Sequence, residues 1–232
     1  MGYTKYLLFF FLLLPMIGCE TDNDLLVKLP FSHARSDRIP GILPPRDRIE
    51  MIRKKGEYGS RAEPNVKAQL LEQLTEEYTT VPDPAVRNEV ILAVEKLNAN
   101  GGIELVKLAT KDESALVRRT ACRVIGYSKA DDAAFILRVM LKSDTDQDVR
   151  LQAAESLGAF RDAETITALG GALEDKHIAI QYRAMQSLKQ CTGQDYGNDA
   201  YRWKEYLAGE SVTPPPPKNI AERIGITRLP MF

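Results

Sequence analysis

The sequence has 232 residues, of which 44% are hydrophobic and 27% are charged, and this composition excludes a chain disordered throughout and a polytopic membrane protein. Lysine and arginine (31) nearly balance aspartate and glutamate (32), so the charge provides no strong field for DNA or another acidic polymer. Two histidines and three cysteines leave little material for a metal site or a disulfide scaffold.

The first nineteen residues have the layout of a secretory signal peptide. Lys5 precedes an apolar run from Tyr6 to Leu14, and the small residue Gly18 directly precedes Cys19. The apolar stretch ends at Ile17, whereas a helix that spans a membrane needs about 20 apolar residues. The sequence therefore predicts a signal peptide at residues 1–18 that is removed from the mature protein.

The end of this segment, Met16-Ile17-Gly18-Cys19, resembles the lipobox of bacterial lipoproteins, although Met16 stands where leucine is usual. The resemblance implies lipid attachment at Cys19 and a location in the bacterial cell envelope. Two or three acyl chains hold a protein at a membrane where a single chain does not. Because Glu20 follows Cys19, the resemblance slightly favours the periplasmic face of the outer membrane. The alternative is an incidental cysteine beside an ordinary cleavage site.

Residues 19–45 are polar and interrupted by prolines, which predicts a disordered, flexible tether. A short helix and a connector are predicted to follow at residues 46–62, with Ile49 and Ile52 on one helix face. The basic residues of this helix could contact anionic lipid, but Asp47 and Glu50 lie among them. A solvated face is therefore the favoured interpretation.

A helical pattern repeats through residues 63–193. Each β-branched anchor is followed by apolar or small residues four, five and eight positions later, which lie on one stripe of a helix. The anchors are Val66, Val86, Val117, Val149 and Ile180. Weaker helical stretches lie between the later anchors, so each repeat is predicted to be two antiparallel helices, the second carrying the anchor. Because Val66 lies close to Val86 in the sequence, its helix is predicted to be the outer partner of the Val86 helix.

An aspartate, a Val-Arg pair and Ala-x-x-Leu-Gly recur in this order, most clearly from Asp144 to Gly158. This pattern resembles the short HEAT repeats of bacterial proteins, and it implies an all-α fold, a right-handed α-solenoid of helix pairs. Residues 194–210, which contain Trp203, resemble the ending of HEAT-repeat proteins of planctomycete-like bacteria and are predicted to cap the last repeat. Residues 211–232 are predicted to form a proline-rich tail. Helices are predicted to end in left-handed geometry at three glycines, Gly126, Gly158 and Gly193.

Motifs for chemistry are scarce, and no catalytic residue, cofactor-binding residue or metal ligand is predicted. His177 lies in a turn between helices, where an exposed histidine is usually inert. Asp144, Asp146 and Asp148 are spaced like calcium ligands, but Val149 occupies the place where such a loop needs glycine. Helix capping is therefore the favoured role of these aspartates.

Three arginines, Arg87, Arg118 and Arg150, recur one position after an anchor and form a candidate ladder. Such a ladder could bind an acidic partner. The resemblance to HEAT proteins instead implies that each arginine pairs with a turn aspartate of a neighbouring repeat, and this structural role is favoured.

These observations predict that the protein is not an enzyme but a lipid-anchored scaffold or adaptor that binds another protein. No cofactor, no nucleic acid and no small-molecule substrate are expected. One alternative is a HEAT-repeat enzyme of the bilin-lyase-like class, since similar short repeats occur in phycobilin lyases and in alkylpurine DNA glycosylases. The other is a permanent structural subunit of an envelope complex.

Overall fold

A computed structural model describes residues 43–128 and 130–213. Within these residues the chain forms ten α-helices and no strand, in a compact unit that begins at Pro44. The predicted all-α fold is therefore confirmed. The signal peptide, Cys19, most of the tether and the tail from Pro214 onward lie outside the described residues. Lipid attachment at Cys19, and the location inferred from it, stay predictions.

Helices that are neighbours in the chain contact each other. In chain order the helices are α1 (Pro45–Ser60), α2 (Pro64–Thr80), α3 (Pro84–Leu97), α4 (Gly102–Ala109), α5 (Ala115–Tyr127), α6 (Ala133–Ser143), α7 (Gln147–Leu157), α8 (Ala163–Ala172), α9 (Ile178–Thr192) and α10 (Ala200–Leu207). Helices α1, α3, α5, α7 and α9 stack on one another as an anchor layer, and α2, α4, α6 and α8 form an outer layer. None of the described helices is both long enough and apolar enough to span a membrane.

Four of the five predicted anchors lie in one continuous core, whereas Val66, on the outer helix α2, is only partly buried and is not part of it. Val86, Val117, Val149 and Ile180 are each at most 1% exposed. Full burial of a side chain of this kind stabilises the fold by about 1.5–3 kcal/mol. Alanines on the same stripe, such as Ala153, are also buried, and their small side chains let neighbouring anchor helices approach closely. A single repeat could not bury this stripe alone, so the helix pairs are stable only when stacked.

Helix α1 continues to Ser60, beyond the short helix predicted around Ile49 and Ile52, and its contact with α3 uses small residues. A Cβ atom added to Gly56 would lie 2.9 Å from Cα of Ala93, so only glycine allows this approach. Gly59 is similarly close to Leu97. Three basic side chains of α1 form ion pairs within the protein, namely Arg48 with Glu77, Arg53 with Glu89 and Lys54 with Glu50.

A ladder of arginine–aspartate pairs joins each repeat to the next. Nε and Nη2 of Arg87 donate to the two carboxylate oxygens of Asp112, each at 2.8 Å. Nη1 donates to the carbonyls of Val81 and Pro82 in the turn before the helix. The same arrangement recurs for Arg118 with Asp144 and for Arg150 with Asp175. Bidentate pairs of this kind fix geometry as well as supplying energy.

The ladder aspartates also shape the turns. Each accepts a hydrogen bond from the backbone N–H two residues later, namely Ser114, Asp146 and His177. Burial alone would raise the pKa of Asp112, Asp144 and Asp175. Hydrogen bonds from the arginines and backbone outweigh it, so each pKa lies below its ordinary value. At the next position along the ladder, Nε2 of Gln181 donates to the Asp175 carbonyl in place of an arginine.

Two of the three glycines predicted to be left-handed are not. Gly193 ends α9 with φ 75°, whereas Gly158 has φ −58° and Gly126 lies within α5 without a positive φ. A Cβ atom at Gly126 would lie 2.6 Å from Cβ of Ser156 on α7. The prediction of left-handed geometry at Gly126 and Gly158 is therefore wrong, and Gly126 serves the close packing of two anchor helices.

The last repeat is covered by α10, which packs on α8 and α9. The structure places Trp203 fully buried there, with Nε1 donating to the carbonyl of Gly197 at 3.1 Å. Its ring meets Tyr196 edge to face, with 5.1 Å between ring centroids. Leu207 of α10 packs directly over Gly170 of α8.

Replacing Arg118 with alanine should destabilise the protein strongly. The change removes the bidentate pair and leaves the Asp144 side chain, which is only 5% exposed, without its main counter-charge. We expect the free energy of unfolding in urea to fall by about 3–5 kcal/mol. Arg119→Ala, at the exposed neighbouring position, is the matched control and should change it by about 0.5 kcal/mol or less. Equal effects of the two substitutions would contradict the structural role of the ladder.

Acid should weaken the protein through the same pair. Because the folded pKa of Asp144 is lowered, its contribution to stability is complete above the unfolded pKa of about 4 and is lost as the pH falls through the folded pKa. Urea midpoints measured between about pH 2 and pH 5 should therefore rise with pH less steeply in Arg118→Ala than in the native chain. The Arg119→Ala control should keep the native slope. A slope unchanged in Arg118→Ala would show that this pair does not contribute to acid sensitivity.

Candidate functional site

A small pocket opens where the anchor helices α7 and α9 begin. It has a volume of about 160 Å³, and its lining includes Asp148, Leu151, His177 and Ile178. His177 is the only histidine of the described residues. The pocket therefore combines an imidazole, a carboxylate and apolar side chains contributed by two successive repeats.

The local fold explains how these side chains come to face the pocket. His177 is the N-cap residue of α9, and its backbone N–H donates to the Asp175 carboxylate at 2.9 Å. In the preceding repeat Asp146, not Asp148, caps α7 by accepting from the backbone N–H groups of Asp148 and Val149. The carboxylate of Asp148 is therefore exposed and has no ion pair within the part of the chain that the structure describes.

The chemistry available in the pocket is limited and specific. An imidazole can take or give a proton near neutral pH, and a free carboxylate attracts a cation. Ile178 is 80% exposed and, with Leu151, offers an apolar surface to an aliphatic chain. We therefore regard this pocket as the candidate reactive site.

A larger groove runs between α6 and α8 in the outer layer. Its volume is about 740 Å³, and apolar side chains such as Val139 and Ala168 line much of it. The groove contains no histidine or cysteine. It therefore has the character of a binding surface rather than of a reactive site.

The three arginines predicted as a binding or structural ladder all lie in the ladder described above. Their side chains are 14%, 14% and 8% exposed for Arg87, Arg118 and Arg150. Each guanidinium already donates to a carboxylate and to two backbone carbonyls. Few N–H groups of each guanidinium therefore remain available to bind a ligand.

The sequence analysis did not identify Asp148 and His177 as neighbours. They lie 29 positions apart, which is close to the repeat length, and both come shortly before an anchor. Stacking in register brings such positions together. That spacing was the signal that could have identified the pocket.

The described residues do not suit a metal ion. Within residues 43–128 and 130–213 there is no group of three or more histidine, cysteine, aspartate or glutamate side chains that could hold one. Asp175 is near His177, but its carboxylate is bound by Arg150. Burial raises the pKa of Cys122 to about 12 and also raises the pKa of Cys191, so both groups are protonated thiols rather than thiolate ligands.

Comparison with known proteins identifies the repeats and one enzyme relative. Residues 102–189 match the family model described as HEAT repeats. Deoxyhypusine hydroxylase from Saccharomyces cerevisiae is 28% identical over 161 residues, which cover 68% of this chain and 46% of the hydroxylase. The chain thus spans about half the length of this relative.

Solved structures give weaker matches. The structure of human deoxyhypusine hydroxylase in complex with glycerol is 21% identical, covering 53% of this chain and 44% of that chain, with a TM-score of 0.47. One engineered protein is 19% identical, covering 80% of this chain and 84% of that chain, with a TM-score of 0.44.

The relative corrects the functional prediction. The expectation of a non-enzymatic, lipid-anchored scaffold or adaptor is contradicted, because the matching protein is a hydroxylase. The same finding contradicts the accompanying description as a protein-binding lipoprotein of membrane and cell envelope. The alternative of a HEAT-repeat enzyme is favoured instead. The modification of Cys19 itself is not tested by these comparisons.

Fold and sequence agree on the architecture. The described helices form stacked pairs, and the arginine–aspartate turns recur with the predicted repeat length. The family model covers the three helix pairs from α4 to α9. Residues 102–189 therefore form HEAT repeats.

Proposed function

We propose that the chain is a HEAT-repeat enzyme that acts on an aliphatic amine of the kind represented by deoxyhypusine. The observation that carries the proposal is the 28% identity over 161 residues to deoxyhypusine hydroxylase. The match covers only 46% of that relative, so it does not by itself show that the two proteins share a substrate. The choice of an amine as substrate is therefore argued from the pocket.

The pocket at His177 supports an amine as substrate. Aliphatic amines are protonated near neutral pH, and the resulting ammonium group suits the free carboxylate of Asp148. The alkyl chain then lies against Leu151 and Ile178, which removes apolar surface from water. The imidazole of His177 is the group of the pocket that can accept a proton from the substrate as it reacts, while the ammonium group stays bound to Asp148.

The ladder positions the backbone that carries the imidazole in this proposal. Asp175 accepts a hydrogen bond from the backbone N–H of His177 and is itself held by Arg150. The turn that carries His177 is thereby tied to α7, the helix that carries Asp148. Rigid placement of two groups from different repeats is what a reactive site requires.

No oxygen-transfer step is assigned to these residues. Hydroxylation needs a metal or an organic cofactor to activate oxygen. The described residues hold no group of side chains that fits a metal. The proposal therefore gives the described residues two tasks, binding the amine and moving a proton.

The proposal is tested by converting deoxyhypusine with the purified full chain. The reaction contains ferrous ion and a filtered cell extract that supplies small cofactors, and mass spectrometry follows any change in the amine. We expect conversion by the native chain and a rate lower by about 10²–10⁴-fold in His177→Gln, because the proton acceptor is lost. His33→Gln, at the other histidine of the chain, is the matched control and should keep the native rate.

Two outcomes would count against the proposal in different ways. Absence of any conversion by the folded native chain would contradict the enzymatic function. Conversion at equal rates by the native chain and by His177→Gln would retain an enzyme but remove His177 from its reactive site.

A further inference from the structure

The groove between α6 and α8 has a direction that the ladder defines. Asp112, Asp144 and Asp175 follow the outer helices α4, α6 and α8, and Arg118 and Arg150 bind them in succession. The C-terminal ends of these outer helices therefore lie on one side of the solenoid. Helices α6 and α8 are parallel, and the groove between them has a defined N-terminal and a defined C-terminal end.

Gly171 on α8 leaves space in this groove, and no packing contact within the described residues requires a glycine there. A Cβ atom at Gly170 would lie 2.7 Å from Cδ1 of Leu207, so the contact with α10 explains that glycine. A Cβ atom at the adjacent Gly171 would meet no atom within 4 Å. Glycine inside a helix is less stable than alanine by about 1 kcal/mol. Gly171 thus destabilises α8, and no packing contact within the described residues compensates for this cost.

The two walls of the groove are complementary in shape. On α6, Phe135 and Val139 stand one helical turn apart and are 61% and 45% exposed. On α8, Ala168, Gly171 and Ala172 line the opposite wall with little side-chain volume. A ridge of large side chains beside a flat wall is the surface into which a third helix packs.

Two charges at opposite ends of the groove have no partner within residues 43–128 and 130–213. Glu164 lies at the N-terminal end of α8 and Lys142 near the C-terminal end of α6, and neither has a hydrogen bond or ion pair within the described residues. The other charged side chains of the lining are occupied. These pairs are Arg138 with Asp162, Glu174 with Lys204 and Asp175 with Arg150.

We propose that this groove binds an amphipathic helix of another protein, antiparallel to α6 and α8. Helices favour acidic residues in the first turn and basic residues in the last turn, because of the helix dipole. An antiparallel helix places its acidic first turn at Lys142 and its basic last turn at Glu164. A parallel helix would bring like charges together at both ends. The groove is separate from the His177 pocket, so this inference does not depend on the proposed enzymatic function.

A synthetic helical peptide is the probe for this surface. It has leucines along one face, glutamates in the first turn and lysines in the last turn, and a second peptide has glutamates and lysines exchanged. Fluorescence anisotropy with the full chain measures both dissociation constants. We expect the first peptide to bind at least about tenfold more tightly than the second.

Substitutions in the groove test the same proposal from the protein side. Gly171→Trp fills the groove and should weaken binding of the first peptide by at least about tenfold, whereas Gly171→Ala should stay within about twofold of the native chain. Thermal unfolding checks the fold of both variants. The double variant Glu164→Lys with Lys142→Glu should reverse the preference between the two peptides.

Four outcomes would overturn the proposal. They are equal binding of the two peptides, binding unchanged by Gly171→Trp in a folded variant, and preference unchanged by the double charge reversal. The fourth is a different occupant. Self-association that Gly171→Trp abolishes would identify a second copy of this chain, and displacement of the probe by a peptide of residues 218–232 would identify its own C-terminal segment.

Discussion

The bidentate contact between an arginine and the turn aspartate of the next repeat is the interaction on which the rest of the structure depends. Each aspartate joins two repeats and also folds the turn that begins the next anchor helix. Hydrophobic burial drives stacking but is not directional, so it does not fix register by itself. Arg118 and Asp144, which are nearly buried, supply that register through atoms 2.8 Å apart. The relative placement of residues from different repeats follows from these contacts.

Much of the fold could be predicted because the sequence pattern that indicates each helix lies within that helix. The apolar stripe after Val117 or Val149 lies within one helix, and its recurrence indicates stacked pairs. The close contact of α1 with α3 could not be predicted, since Gly56 makes it through the absence of a side chain. Gly126 was misread for a related reason. Only the neighbouring helix, through Ser156, shows that this glycine serves packing rather than a helix end.

The functional prediction failed because it relied on motifs, which are local, whereas a solenoid assembles sites across repeats. Asp148 looks like a capping residue and His177 like an inert turn residue when each is considered in its own segment. Their shared pocket exists only after α7 and α9 stack. The absence of a known catalytic motif in this chain therefore does not exclude a reactive site formed by two repeats.

The central claim is that stacking of two repeats creates an amine-binding site at His177. An NMR titration of the isotope-labelled chain with deoxyhypusine tests it most directly. The account predicts that the imidazole resonances of His177 shift with added amine and saturate, while the buried indole of Trp203 in the terminal cap does not respond. Resonances of His177 that stay unchanged while another region responds would contradict it.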